Sequence, residues 1–211
     1  MQPLMRFFLL FFATVFCINA AFAQNADALF AQSIYQHRKH YAQEFLEEPR
    51  APLKVQDTAY LDFFAPSLAW QITALFERTP ESSPFDMATY SGQKAKYVQY
   101  GTLRFELDGK EQTLRIYQNL RLAGLPEYAD YLFLPFKDQT NGETSYGGGR
   151  YLDFRVKDIS ADGKLLLDFN KAYNPYCAYS DGYSCPIPPR ENHLELNVTA
   201  GEKLFRKADK H

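Results

Sequence analysis

Apolar residues in this chain form first a solid block, then a helical stripe, then an alternation with polar ones. The block runs from Phe7 to Ile18. The stripe is Phe30, Ile34, His37, Tyr41 and Phe45. It predicts an amphipathic helix over Asn25–Glu48, ended by Pro49. Pro49–Pro66 reads as a connector with partly buried Leu53, Tyr60, Leu61, Phe63 and Phe64. Beyond it the period becomes two, the signature of half-buried strands.

Trp70, Ile72, Ala74 and Phe76 alternate with Gln71, Thr73, Leu75 and Glu77 in a first strand. Leu103, Phe105 and Leu107 face Leu114 and Ile116 in a hairpin over Tyr97–Asn119, turned at Asp108-Gly109. Tyr131–Phe136 is a strand in which Pro135 implies an edge or a bulge. Arg150–Val156 and Lys164–Asn170 flank Asp162-Gly163 and predict a second hairpin. His193–Thr199, with Leu194, Leu196 and Val198 on one side, closes the set. The expected fold is mainly β (α+β): an N-terminal helix packed on a curved antiparallel sheet or partly closed β-barrel.

The first block changes the domain plan. Arg6 precedes it, and Ala21-Phe22-Ala23 follows as a cleavage site, so residues 1–23 read as a secretory signal peptide. Residues 24–52 are then the helix and connector, and 53–211 a single β-rich domain. The expected location is periplasmic or secreted. Removing 23 of 211 residues leaves 188, enough for one core. Six of 18 Phe leave with the signal while all 15 Tyr stay, so tyrosine dominates the mature aromatics. The mature chain has 22 basic and 25 acidic residues, a net charge of −3 with His neutral. That balance gives no footprint for nucleic acid, and no second apolar stretch predicts a membrane span in the mature chain.

Glycines, prolines, aromatics and charged residues crowd together from Phe133 to Lys203. The runs from Thr140 to Tyr151, LDFNKAYNPYCAYS (Leu167 to Ser180), CPIPPREN (Cys185 to Asn192) and AGEK (Ala200 to Lys203) resemble the bacterial family called domain of unknown function 1684. A weaker likeness reaches back through Tyr131–Phe136 and the Tyr97–Asn119 hairpin to about Leu53. The resemblance implies that these motif residues matter and assigns them no roles, because the family is named for having no assigned activity.

Four features in that stretch bear on chemistry. Cys177 and Cys185, an even pair in an exported chain, fit a disulfide; metal ligation with His193 and free thiols are the other readings. No metal or cofactor is expected. Gly147, Gly148 and Gly149 before a strand can form an anion-binding nest, and Arg150 adds a forked donor. The competing reading is a glycine bulge with Arg150 paired to Glu143 or Asp138. Tyr151, Asp153 and Arg155, Asp168 and Asn170, and His193, Glu195 and Asn197 fall on the polar sides of three strands. Side by side, they would make one patch, either a solvated face or a cavity lining with Asp153, Asp168 and His193 as acid/base candidates. The Asn174–Tyr179 turn and Pro186, Pro188 and Pro189 shape a rigid loop, a lid or a seal, with Glu191-Asn192 fixing its close.

Neither a G-x-S-x-G elbow nor an H-E-x-x-H motif is present. The expected function is an exported small-ligand-binding β domain with a pocket for a small anionic ligand. Arg150 and Gly147–Gly149 would meet the anion, with Tyr146, Asn174 and Tyr176 as walls. One alternative is a hydrolase or lyase using Asp168 or Asp153 with His193. Another is a structural or partner-binding module.

Overall fold

A computed structural model describes residues 2–47 and 50–207, the side chains of 2–23 excepted. The side chains of the expected signal segment, and the expected helix stop at Glu48-Pro49, therefore lie outside the described residues. Helix α1 is Gln2–Glu47. Its predicted stripe is the face turned inward: Ile34 and Phe45 are buried and Phe30, His37 and Tyr41 half-buried.

Seven strands follow. They are β1 (Gln71–Arg78), β2 (Phe85–Ala88), β3 (Lys94–Leu107), β4 (Lys110–Asn119), β5 (Tyr131–Phe136), β6 (Arg150–Arg155) and β7 (Lys164–Asp168). They form one antiparallel sheet in the order β6-β5-β4-β3-β1-β7, with β2 paired to β3. The sheet curls into a half-barrel, with α1 packed against it.

The predicted strand at Tyr97–Leu107 is the middle and end of a longer one, and β2 is a strand that the sequence pattern did not predict. The β3–β4 register shifts between Gln99 and Gly101. There a Cβ on Gly101 would stand 2.2 Å from the Phe76 ring, so only glycine lets that ring lie on the strand.

Two expectations are corrected. Arg150–Val156 and Lys164–Asn170 do not form a hairpin. β7 pairs with β1, and β6 pairs with β5, so they are the two free ends of the sheet. A turn of 3₁₀ helix at Val156–Asp158 carries the chain away from β6 before Asp162-Gly163 is reached. His193–Thr199 is likewise not a strand. It touches the sheet through a single parallel bridge, Lys137 to His193, and through Leu194 N–H to the Lys137 carbonyl at 2.8 Å. Its alternation is real, since Leu194 and Val198 enter the core, but beyond that one bridge it pairs with no strand.

The inner face of the half-barrel holds the main core, built on Leu103, Leu114, Ile116, Leu132, Leu134, Leu152, Leu167 and Phe169. The outer face of β2–β6 carries a second, aromatic cluster of Tyr97, Tyr117, Phe133 and Tyr151 with Met87. Alternation along β5 and β6 therefore serves two apolar layers, one aliphatic and one tyrosine-rich.

β4 and β5 share one register pair, Tyr117 with Phe133. Asn192, fully buried, fills the gap as they diverge. Its amide accepts from Arg115 N–H at 2.7 Å and donates to the carbonyls of Arg115 and Pro135 at 2.8 and 2.7 Å. The missing N–H of Pro135 faces this same side, so proline sits inside the sheet where no ladder bond is required of it. The expected fixing role of Asn192 thus has a definite form.

Candidate functional site

The cavity lies between α1, the outer face of β5 and β6, and the loop from Pro175 to Pro186. Its volume is about 950 Å³. Alternation on β6 sends Leu152 and Phe154 to the inner face and Tyr151, Asp153 and Arg155 to the outer one. Asp153 pairs in register with Phe133, flanked by Tyr131 opposite Arg155. Tyr173 joins this face because the segment after β7 returns to β6, where Tyr151 and Tyr173 exchange backbone hydrogen bonds at 2.9 and 3.1 Å.

Two tyrosine hydroxyls converge on Asp153. Tyr131 Oη donates to Oδ1 at 2.6 Å and Tyr173 Oη to Oδ2 at 2.8 Å. Burial, and then the charge of Asp153, push both phenol pKa values well above the usual range, so both remain donors at physiological pH. Asp153 itself keeps solvent access through the cavity, yet walls on most sides strip away enough water to raise its pKa. The two hydroxyls and Arg155 pull it down, and Glu44 of α1 pushes it further up.

The Cys177–Cys185 disulfide is present and ties the two halves of the loop, with Cα atoms 6.2 Å apart. Pro175, Tyr176, Tyr183, Cys185 and Pro186 all line the cavity, so the bridge braces its wall. Tyr151 Oη donates to the Pro186 carbonyl and fixes that wall to β6.

Arg150 stands elsewhere, fully buried and off the cavity lining. Its Nη2 pairs with Asp138 Oδ2 at 2.8 Å and donates to the Val198 carbonyl at 2.9 Å. Its Nη1 donates to the carbonyls of Ala200 and Glu202. Gly149 takes a φ of +91°, and its N–H donates to the Tyr146 carbonyl at 3.1 Å. A Cβ there would meet the Phe136 carbonyl oxygen at 2.6 Å, and one on Gly148 the Tyr146 ring at 2.2 Å. The glycines and Arg150 thus pack against protein, and Asp138 is the partner that the bulge reading named.

The other expected residues scatter. Tyr176 lines the cavity, while Tyr146, off its lining, donates to the Cys177 carbonyl at 3.3 Å. Asn174 is buried behind the cavity, its N–H on Glu202 Oε2 at 2.9 Å and its amide on the Lys203 carbonyl at 2.8 Å. Asp168 lines the far end, accepting from Gln71 and Asn170. His193 is exposed and away from the lining, its Nε2 3.2 Å from the Pro188 carbonyl oxygen. The structure therefore brings Asp153, Asp168 and Tyr176 to one cavity and leaves out Arg150, Gly147–Gly149, Tyr146, Asn174 and His193. The one polar patch expected from three neighbouring strands does not form, because β6 and β7 are not neighbours. Among the described residues no group of three His, Cys, Asp or Glu side chains could hold a metal ion.

Sequence reasoning missed Glu202. It is fully buried, accepting from Asn174 N–H, from Tyr179 Oη at 2.7 and 2.8 Å, and from Tyr41 Oη of α1 at 3.1 Å. Burial outweighs those hydrogen bonds and raises its pKa to about 7. It also missed Tyr131 and Tyr173 as a pair. The available signals were the AGEK motif and the tyrosine excess.

Helix, half-barrel and tyrosine-walled cavity define a β-rich domain with a large concave site. The chain belongs to the family described as "Protein of unknown function (DUF1684)", whose model matches residues 57–203. That stretch contains Tyr131, Asp153 and Tyr173, while Tyr41 and Glu44 precede it. The chain is also similar to the solution NMR structure of an uncharacterized protein of Haloarcula marismortui. The two are 33% identical with a TM-score of 0.63, over 82% of this chain and 92% of that one. No curated protein matches.

Proposed function

We propose that this chain is exported and binds a small ligand in the cavity between α1 and the sheet. The observation that carries the reading is the cavity itself: about 950 Å³, walled by tyrosine rings, with Glu44, Asp153, Asp158 and Asp168 among its lining side chains. Such volume and lining are typical of small-molecule sites. The signal-like N-terminus supports export, and the disulfide suits an oxidising compartment. An anion held by Arg150 has no part in this reading, because both terminal nitrogens of that guanidinium are engaged by protein groups. A hydrolase or lyase pairing Asp153 or Asp168 with His193 lacks support for the same kind of reason, since His193 is off the cavity.

The test is a thermal-shift screen of the purified exported protein against neutral, cationic and anionic small molecules. A ligand bound only by the folded state raises its apparent stability. At least one class should raise the melting temperature, and Tyr173→Ala should diminish that shift. If no class does so at millimolar concentration, the binding reading fails and the structural-module reading stands. N-terminal sequencing of the same sample should begin at Gln24.

A further inference from the structure

We propose that the cavity selects a small organic cation, an amine or quaternary ammonium, and that Asp153 receives its charge. This deepens the reading of the cavity as a ligand site and rests on it. Each Asp153 oxygen accepts one tyrosine hydroxyl, Tyr131 at 2.6 Å and Tyr173 at 2.8 Å. A carboxylate offers about four acceptor sites, so each oxygen can take a further donor. Among the described residues no basic side chain forms an ion pair with it. Arg155, two positions along, turns to Asp130 at 2.7 Å.

Two neutral donors therefore hold a carboxylate in place without cancelling its charge. Across the cavity Glu44 adds a second negative charge, close enough to raise the Asp153 pKa after burial has done so. A cation between them would relieve both effects. The surrounding rings, Tyr97, Tyr131, Phe133, Tyr151 and Tyr173, supply negative π-faces and apolar contact, the combination that recognises alkylated ammonium groups.

The basic groups of the cavity, His37 and Lys171, do not answer this charge. Burial, and then the charge of Lys171, lower the His37 pKa, against the opposing pull of Asp168. Asp153, Glu44, Asp158 and Asp168 on the lining outnumber them, which disfavours an anion.

The experiment compares choline with 3,3-dimethylbutan-1-ol, its uncharged isostere, and with propionate, by titration calorimetry on the exported protein. Choline should bind at least about tenfold tighter than the alcohol, and Asp153→Asn should abolish that margin while leaving alcohol binding within about twofold. Glu44→Gln, at a solvent-accessible position of α1 on the cavity lining, should cost choline about two- to threefold and guards against an Asp153→Asn chain that fails to fold. Equal affinity for choline and the alcohol, or choline affinity unchanged by Asp153→Asn, overturns the cation proposal. If the alcohol or propionate binds and choline does not, the proposal falls while the ligand site survives. If nothing binds from any class, both fall.

Discussion

Asp138→Ala should destabilise this protein more than any cavity substitution. Asp138 and Arg150 form an ion pair at 2.8 Å with both side chains fully out of solvent. Asp138 also accepts from Thr140 N–H at 2.9 Å, Thr140 Oγ1 at 2.6 Å and Val198 N–H at 3.2 Å. Truncation leaves those donors without their acceptor and the guanidinium with carbonyl oxygens and the Thr140 hydroxyl but no countercharge. Removing one member of a buried ion pair costs about 3–5 kcal/mol. Against the ~5–15 kcal/mol that holds a typical domain together, that is a large fraction. The loss should also be local. Arg150 suspends the segment from Val198 to Glu202 by three of its carbonyls, and Glu202 in turn meets Tyr41 of α1. Hydrogen exchange should therefore accelerate first at the Glu202 and Lys203 amides, which now donate to Ala172 and Asp62 carbonyls at 2.8 Å each. The assay is urea denaturation of wild type and variant, with exchange mass spectrometry on peptides covering 198–204. Arg150→Lys keeps the charge and loses the fork, and should cost less, about 1–3 kcal/mol. A folded Asp138→Ala protein that loses under about 1 kcal/mol would refute the reasoning, because the pair would then be no better than a surface contact.

Glu202 gives a pH prediction. Its folded pKa of about 7 lies above the ordinary 4.5, so the folded state binds the proton more tightly than the unfolded one. The stability it contributes is full below about pH 4.5 and is lost as pH rises through about 7, a swing of roughly 3 kcal/mol. Stability measured by denaturation across that window should fall in wild type and flatten in Glu202→Gln; parallel curves would count against the assignment. The disulfide closes a loop with a sequence separation of 8, for which chain entropy predicts roughly 2–3 kcal/mol. Cys177→Ser with Cys185→Ser should lower stability by that amount and weaken binding of any cavity ligand, because Tyr183, Cys185 and Pro186 are wall. An unchanged melting temperature in the double variant would contradict it.

Much of the fold is legible in the chain because its signals are local. The helix face at Ile34, Tyr41 and Phe45, the Asp108-Gly109 turn, and the alternation through Leu103–Ile116 each depend on residues a few positions apart. The disulfide was legible too, from export signals and cysteine count. Strand partners were not. The alternation of Arg150–Val156 suits any neighbour, and the Asp162-Gly163 turn suggested the wrong one, because a 3₁₀ turn at Val156–Asp158 breaks the hairpin first. His193–Thr199 has strand periodicity but makes only one bridge, to Lys137, and packs its apolar side on the core.

The sequence by itself determined that this is a helix followed by an antiparallel β protein with a chemically dense C-terminal third. It offered an acid or an anion as the partner of Arg150 beside the three glycines. Only the tertiary structure decided which. Arg150 is drawn inward to Asp138 and the Val198–Glu202 carbonyls, because a buried charge is stable only where it is paired and hydrogen-bonded, as both its terminal nitrogens are. The set of cavity walls was not legible either, because they come from stretches far apart in the chain, among them α1, β3, β5, β6, β7 and the segment from Lys171 to Pro186. Side-chain alternation tells which residues share a face of one strand. Which strand lies beside it, and what covers that face, follow from packing the whole chain at once.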